Sequence, residues 1–456
     1  MADDYAAFWY TTNSPTGWVG SFDPSKPTII LLPPPYLDST WLNTQFEDPR
    51  LDANFNMIAF DARHTGKTLA RVHGGQDAWT DAADLAMACQ ELCLPPAHVW
   101  AAEAPATYCA LRFATLFPDM CLSVTLITAP SAPDSTSTPF STLHELLHMW
   151  CEAEELRTLE HAFTNILNVS FGPHLSIDLH DELIAHYEKH YPPCKRAAIM
   201  HIGAQIIGSE ALGAKDFFPI TQPVLLIHGD QDEFHSVAHA YRVRDELVNA
   251  RYGAQLYLLR GARGGIGTIP GHASVANRVF ASFLDRLPLA RSDICPPAEP
   301  IEQRMARALK ILAEFTGDPH IVHRDPLSAM AFSCVPRDVQ RRLTEQFATL
   351  SKAEHPAFSP LSSDGRPIRK YSERIHDHWF HVDHDGMSYA AGVEDDEWSP
   401  PNKRQNTALQ DFKHTRSRAA NAVLLDASSL EHAVIKNSLS RVASATGVPV
   451  TRFFRI

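Results

Sequence analysis

Short, almost uniformly apolar runs separated by helix-length stretches constrain this chain more than any other feature. Apolar runs of this kind are typical of strands buried on both faces of a parallel sheet. Between them, residues 78–93 and 106–117 have the spacing of helices, so the alternation predicts an α/β fold with a mostly parallel sheet. The predicted strands are 28–32, 56–60, 98–102, 122–127, 223–227 and 255–259.

The strand pattern is interrupted between residues 135 and 215. This stretch has helical period and contains no convincing strand. A helical block inserted into an α/β sheet is commonly a lid over a ligand site. Alternation then resumes up to a final helix at 273–287. We therefore predict a first domain over residues 1–288, with 135–215 as its helical lid.

The remainder of the chain differs in composition. Four prolines fall within residues 288–300, so we interpret 289–300 as a proline-rich linker. Beyond it, an amphipathic helix is predicted at 301–315, and a histidine-rich run at 376–386 is predicted to be an edge strand. We expect residues 301–456 to form a C-terminal α+β domain. The sequence of this domain identifies no family.

Composition excludes several classes of protein. The 456 residues have a formal net charge of −13, which argues against nucleic acid as a partner. No run approaches the roughly 18–20 apolar residues of a membrane span, so we expect no membrane association. The first residues lack the pattern of a secretory signal, and the eight cysteines are scattered in the manner of reduced thiols. These features predict a cytoplasmic protein.

Four segments, taken in order and spacing, resemble the α/β-hydrolase family over roughly residues 1–288. They are 31–35 (LLPPP), 61–68 (DARHTGKT), 108–114 (YCALRFA) and 228–232 (HGDQD). The resemblance implies a sheet that presents a nucleophile, an acid and a histidine at one edge. It places the acid at Asp232.

The catalytic residues implied by this resemblance are largely missing. Counted back from the helix, the nucleophile elbow Gly-x-Ser-x-Gly falls on 102–106 (AEAPA), with Ala104 at the nucleophile position. Pro105, next along, has no N–H for an oxyanion, and neither have the prolines at 33–35. The register of the catalytic histidine falls on 263–267 (RGGIG), which contains none. A Ser-His-Asp triad is therefore not expected.

We accordingly predict a non-hydrolytic protein that binds a small apolar ligand or a protein partner in the lidded cleft and has a small-molecule-binding or regulatory role. No cofactor and no metal is expected. The histidine pairs 144/148 and 186/190 each lie four residues apart on one helical face, but we interpret them as pocket or surface histidines. The expected binding residues are Pro34, Pro35, Ala104, Pro105 and Trp150.

Two alternatives remain open. The chain could be a divergent hydrolase or another enzyme acting on a small apolar substrate, with Asp232 and His272 as its acid/base pair. Glu103 is a further candidate as a carboxylate nucleophile or base, although the predicted turn geometry would point it away from the pocket. A structural or scaffold role is the other alternative.

Overall fold

The fold is seen in a computed structural model that describes residues 6–130, 138–232, 235–352 and 358–376. Its strands are β1 (Ala6–Ala7), β2 (Tyr10–Thr12), β3 (Thr28–Leu32), β4 (Asn56–Phe60), β5 (Leu69–Ala70), β6 (Ala97–Ala102), β7 (Cys121–Ile127), β8 (Val224–Gly229) and β9 (Gln255–Leu259). All six predicted strands are therefore present, within two residues of their expected bounds.

Thirteen α-helices connect and cover these strands within the described residues. They are α1 (Asn43–Phe46), α2 (Pro49–Asp52), α3 (Ala78–Glu91), α4 (Ala106–Leu116), α5 (Thr138–Cys151), α6 (Leu156–Phe171), α7 (Ile177–His190), α8 (Arg196–Ile207), α9 (Ala214–Phe217), α10 (Val237–Glu246), α11 (Pro270–Leu284), α12 (Ile301–Thr316) and α13 (Arg337–Lys352). None of the helices in this part of the chain is long and apolar enough to cross a membrane.

Seven strands form the main sheet, in the order β2-β4-β3-β6-β7-β8-β9. Strand β2 pairs antiparallel with β4, and every other neighbouring pair is parallel. The predicted α/β fold with a mostly parallel sheet is thus confirmed. Because the carboxyl ends of parallel strands meet at one edge, the loops after β3, β6 and β8 come together there.

Alternate residues of the central strands face two different apolar layers. Ile30 and Val99 pack with α3 and α4 on one face, while Ile29 and Trp100 pack with α11 on the other. Each layer excludes water from one side of the sheet, which explains why the strands are apolar throughout. The sheet is the middle layer of a three-layer structure.

Helices α5 to α8, between β7 and β8, form a third apolar cluster of their own. We refer to these four helices as the helical block. Trp150 and Phe163 lie at its centre, and Tyr36 from the loop after β3 packs against them with ring centroids of Tyr36 and Trp150 5.0 Å apart. The block therefore lies at the carboxyl edge of the sheet. Its four helices fall within residues 135–215, the stretch predicted to be helical.

Part of the chain beyond residue 288 packs against the sheet and against the helical block. Ser292, within the predicted linker, is fully buried and its hydroxyl lies 2.6 Å from that of Thr28. Met305 and Leu309 of α12 are buried in the same cluster as α3 and α4, and Phe347 of α13 belongs to the cluster of the helical block. The described part of 301–376 thus extends the existing cores. Residues 377–456, including most of the predicted histidine-rich strand, lie outside the described residues.

Candidate functional site

The sharp turn between β6 and α4 is centred on Glu103. Its φ is +59°, a left-handed conformation that non-glycine residues adopt rarely. The Glu103 N–H donates to the Ile127 carbonyl at 2.9 Å, and the Glu103 carbonyl accepts from the Thr107 N–H at 2.9 Å. The tip of the turn is therefore Glu103, one residue before the predicted position Ala104, because β6 ends at Ala102.

The Glu103 side chain faces a cavity, contrary to the prediction that it points away. Its Oε1 accepts the N–H of Gly265 at 2.9 Å. Burial raises the pKa of the Glu103 carboxyl to about 7, and the negative charge of Asp232 acts in the same direction. The Gly265 N–H and the nearby His235 oppose this increase in pKa. The Glu103 carboxyl therefore titrates closer to neutral pH than an ordinary glutamate does.

Asp232 lies in the loop after β8, as the resemblance implied, and it holds a histidine three residues further on. One carboxylate oxygen accepts the backbone N–H of His235 at 2.8 Å, and the other lies 3.3 Å from its ring Nδ1. A carboxylate can only accept, so the proton of a neutral His235 is on Nδ1 and its lone pair is on Nε2. This arrangement orients the imidazole of His235.

A buried histidine fixes the backbone of the same loop. His228 accepts the Ala129 N–H on Nδ1 at 3.2 Å, and its Nε2 donates to the His235 carbonyl at 2.8 Å. Both ring nitrogens are used, so His228 has one defined neutral tautomer. Burial lowers the pKa of His228, which is consistent with this role. His228 therefore positions His235 and does not itself line the cavity.

The glycine-rich segment 263–267 occupies the register in which the resemblance implies a catalytic histidine. A Cβ at Gly264 would collide with the Ser170 carbonyl oxygen, and one at Gly265 with the Phe171 ring. Gly265 also has φ +61°, which favours glycine. The segment thus approaches α6 closely and brings a backbone N–H to Glu103 in place of an imidazole.

These loops and the helical block enclose a cavity of about 480 Å³. Cavities of this size accommodate small organic ligands. Its lining includes two carboxyl groups, an imidazole and a guanidinium, from Glu103, Asp232, His235 and Arg263. Much of the remaining wall is apolar, from Pro34, Pro35, Leu143, Ile166, Val169 and Phe171.

The one-residue shift of the turn changes the expected oxyanion donors. The residue after the tip is Ala104, which has a backbone N–H, and not Pro105. No hydrogen bond among the described residues uses that N–H. The loop after β3 offers no second donor at Pro33, Pro34 or Pro35, as predicted.

Of the other predicted site residues, some line the cavity and others do not. Pro34, Pro35 and Ala104 line the cavity, whereas Pro105 lines smaller neighbouring spaces. Trp150 is a core residue of the helical block, where its indole N–H donates to the Tyr191 carbonyl at 2.8 Å. Trp150 is not among the residues that line the cavity.

His272 and Asp232 do not form the acid/base pair that the alternative of a divergent enzyme required. His272 is half-buried near the start of α11 and does not line the cavity. No hydrogen bond joins His272 and Asp232 in the described part of the chain, because Asp232 is bonded to His235 instead. The insertion of glycines before α11 is the physical reason, since it places His272 beyond the cavity.

Sequence reasoning missed His235, Arg263 and Tyr187, all of which line the cavity. A signal for His235 was present: it follows Asp232 by three residues, a spacing that lets an aspartate accept from the backbone of a following turn. Arg263 belongs to the segment examined only for a histidine. Tyr187 is one of several aromatic residues in the helical block, and its sequence context does not distinguish it.

No family model and no curated protein matches this chain. Solved structures resemble it: the enol-lactonase from Burkholderia xenovorans (14% identity, TM-score 0.47, 62% of this chain and 97% of that chain), an esterase from Exiguobacterium antarcticum (14%, 0.49, 61% and 96%) and a bromoperoxidase from Bacillus anthracis (16%, 0.45, 61% and 94%). The chain itself has an α/β fold with a mostly parallel seven-stranded sheet. The likeness concerns the fold and not the activity.

Proposed function

We propose that this protein binds a small, mainly apolar molecule in the cavity and transfers a proton to or from it through Glu103, without a serine nucleophile. The observation that carries the proposal is the position of Glu103. Its carboxyl occupies the tip of the turn after β6, faces the cavity and has a pKa near 7. A group with such a pKa can accept or donate a proton at neutral pH.

His235 and Asp232 supply the second part of this chemistry. With its Nδ1 proton directed at Asp232, His235 has its lone pair on Nε2 and can exchange a proton with a bound molecule. Arg263 adds a positive charge to the same wall, which favours a substrate with a carbonyl or other electron-rich oxygen. The apolar lining holds the rest of the molecule.

The simplest reaction of this kind is proton abstraction next to a carbonyl. The Glu103 carboxylate takes a proton from the adjacent carbon, and the electron pair of that C–H bond moves to the carbonyl to give an enolate. The Ala104 N–H and the Arg263 guanidinium stabilise the oxygen anion. Return of a proton to carbon completes the exchange, with no nucleophile and no second substrate required.

Binding without turnover, in a regulatory role, is the second candidate function. It is favoured by Pro33, Pro34 and Pro35, which remove one source of oxyanion donors from the loop after β3. Both candidates require a ligand in the same cavity. They differ in whether Glu103 exchanges protons with it.

Deuterium exchange distinguishes the two candidates. Apolar ketones, lactones and esters that raise the melting temperature are incubated with the protein in D₂O, and ¹H NMR follows loss of the signal next to the carbonyl. We expect exchange with wild-type protein and a decrease of about 10²-fold or more in Glu103→Gln, with binding retained. Glu47→Gln, a change at an exposed glutamate, is the matched control.

The other outcomes decide against proton transfer. Binding without exchange in the wild-type protein establishes the regulatory alternative. Exchange that persists in Glu103→Gln excludes Glu103 as the group that moves the proton. Stabilisation by none of these compounds, together with an unchanged melting temperature in a wider small-molecule library, contradicts the ligand-binding proposal itself.

A further inference from the structure

Three side chains converge at a point behind the cavity wall. Asp38 follows β3, and His186 and His190 lie one helical turn apart on α7. One candidate ligand atom from each of the three lies within 4.8 Å of the other two. Two imidazoles and a carboxylate are a ligand set typical of divalent transition-metal ions. We propose that Asp38, His186 and His190 bind such an ion, with Zn²⁺ as the best match.

The hydrogen bonds around Asp38 leave one of its oxygens available. Both of the hydrogen bonds that it accepts among the described residues, from the Thr40 N–H and hydroxyl, go to Oδ1. Asp38 is 4% exposed. No hydrogen bond among the described residues goes to its Oδ2, so this oxygen of a largely buried residue is available to an ion.

His186 is oriented in a similar manner. Its Nε2 lies 3.2 Å from the Tyr36 carbonyl, which can only accept, so a neutral His186 has its lone pair on Nδ1. Metal-ligating histidines usually donate their second N–H to a carbonyl or carboxylate. His190 stacks on His186 with ring centroids 4.4 Å apart, and its side chain makes no hydrogen bond within the described residues.

A second histidine pair shows that spacing alone does not produce this arrangement. His144 and His148 on α5 are also four residues apart, with ring centroids 4.9 Å apart. Among the described residues, however, only the cluster with Asp38 brings three candidate ligand atoms together. The His144/His148 pair is therefore a matched control within the same chain.

An ion at this site would tie the loop after β3 to the helical block. That loop includes Pro34, Pro35 and Tyr36, and α7 includes Tyr187; all four residues line the cavity. The cluster itself is not part of the cavity lining, so the ion would fix the shape of the wall and would not contact a ligand. This inference does not depend on proton transfer by Glu103.

The test uses the full chain after removal of metal with a chelator. The sequence has 24 histidines, and others among them can also bind Zn²⁺. Isothermal titration is therefore used to see whether one equivalent of Zn²⁺ is lost in a variant, and total binding is not the readout. We expect His190→Ala to weaken that equivalent about 10²-fold or more, and His144→Ala to leave it unchanged. Zn²⁺ should raise the melting temperature of the wild-type protein and of His144→Ala only.

A spectroscopic variant makes the assignment independent of stability. In His190→Cys, Co²⁺ should bind with a thiolate-to-cobalt charge-transfer band that the wild-type protein lacks. The inference is overturned if no equivalent of Zn²⁺ binds saturably, if His190→Ala binds like the wild-type protein, or if His144→Ala loses the same equivalent. Absence of the charge-transfer band in a folded His190→Cys protein also contradicts it.

Discussion

The sheet and the helical block are stabilised in different ways. The sheet is surrounded by two apolar layers, and its central strands are fully buried. The helical block shares an apolar cluster with Tyr36 and Phe347, but specific polar contacts also join it to the rest of the chain. Apolar burial tolerates small shifts, whereas a buried polar group needs its partner at one position. The position of the block over the cavity therefore depends on a few specific side chains.

Three contacts illustrate this dependence. Glu160 of α6 has no exposed surface and receives two N–H groups from Arg369, at 3.0 and 2.8 Å. Asp181 of α7 accepts from both the N–H and the hydroxyl of Ser372. His201 of α8 lies 2.7 Å from the side-chain oxygen of Gln76. Two of the three contacts come from residues 358–376, far away in sequence.

The largest effect is expected on removing the partner of Glu160. Arg369→Ala leaves a buried carboxylate without its two donors, which should decrease the free energy of unfolding by about 3–5 kcal/mol. Lys370→Ala, a change at the exposed neighbour, should cost less than about 0.5 kcal/mol. Urea unfolding of both variants measures the difference. Equal stability of the two variants would show that the block does not depend on this ion pair.

The next largest loss of stability is expected where the segment 263–267 approaches the helical block. Gly265→Ala combines a left-handed backbone with a collision against Phe171, so we expect a loss of roughly 2–4 kcal/mol. Gly261→Ala has a similar φ, +74°, but no neighbour within 4 Å, and should cost about 1 kcal/mol. Thermal unfolding of the two variants separates contact from backbone strain. Equal losses would place Gly265 outside the contact between loop and block.

A smaller, pH-dependent effect is expected at Glu103. Its pKa is about 7 in the folded protein against 4.5 for an ordinary glutamate, so the folded state holds a proton that the unfolded state releases. The stability that the protonated Glu103 carboxyl contributes to the wild-type protein should be lost as pH rises from about 4.5 to 7, and Glu103→Gln should not share this loss. The difference in free energy of unfolding between Glu103→Gln and the wild-type protein should therefore shift by about 1–3 kcal/mol in favour of the variant between pH 5 and pH 8.

Denaturant unfolding at pH 5, 6, 7 and 8 tests this prediction. Glu47→Gln serves as the control for a general effect of removing one carboxylate. If Glu103→Gln and the wild-type protein keep parallel stability profiles over the whole range, the Glu103 carboxyl does not retain its proton in the folded state, and its part in proton transfer is contradicted too.

The contrast between the sheet and the helical block also explains which parts of the fold and of the candidate site could be predicted from the sequence. Largely apolar strands leave a continuous signature, and the predicted strands 28–32, 56–60 and 255–259 have the bounds observed. The turn after β6 was predicted one residue late because a glutamate gives no sign of a positive φ, which usually favours glycine. Trp150 was assigned to binding because an aromatic residue on a helix looks the same in a core and in a cavity wall. The contacts of residues 358–376 with the block leave no local pattern at all.

The smallest effect is expected at Ala104, and it tests the position of the turn. A serine there lies one residue beyond the tip, next to a loop whose three prolines donate no N–H. Ala104→Ser should therefore have no measurable aryl-ester hydrolysis. Its free energy of unfolding should be within about 0.5 kcal/mol of the wild-type value. Glu103→Ser is the matched variant, because it places a hydroxyl at the tip, beside His235 and before the Ala104 N–H. Any gained hydrolysis should therefore occur in Glu103→Ser and be absent from Ala104→Ser. Hydrolysis gained by Ala104→Ser alone would show that Ala104, and not Glu103, presents its side chain to the reacting position, and would return the turn to the register predicted from the sequence.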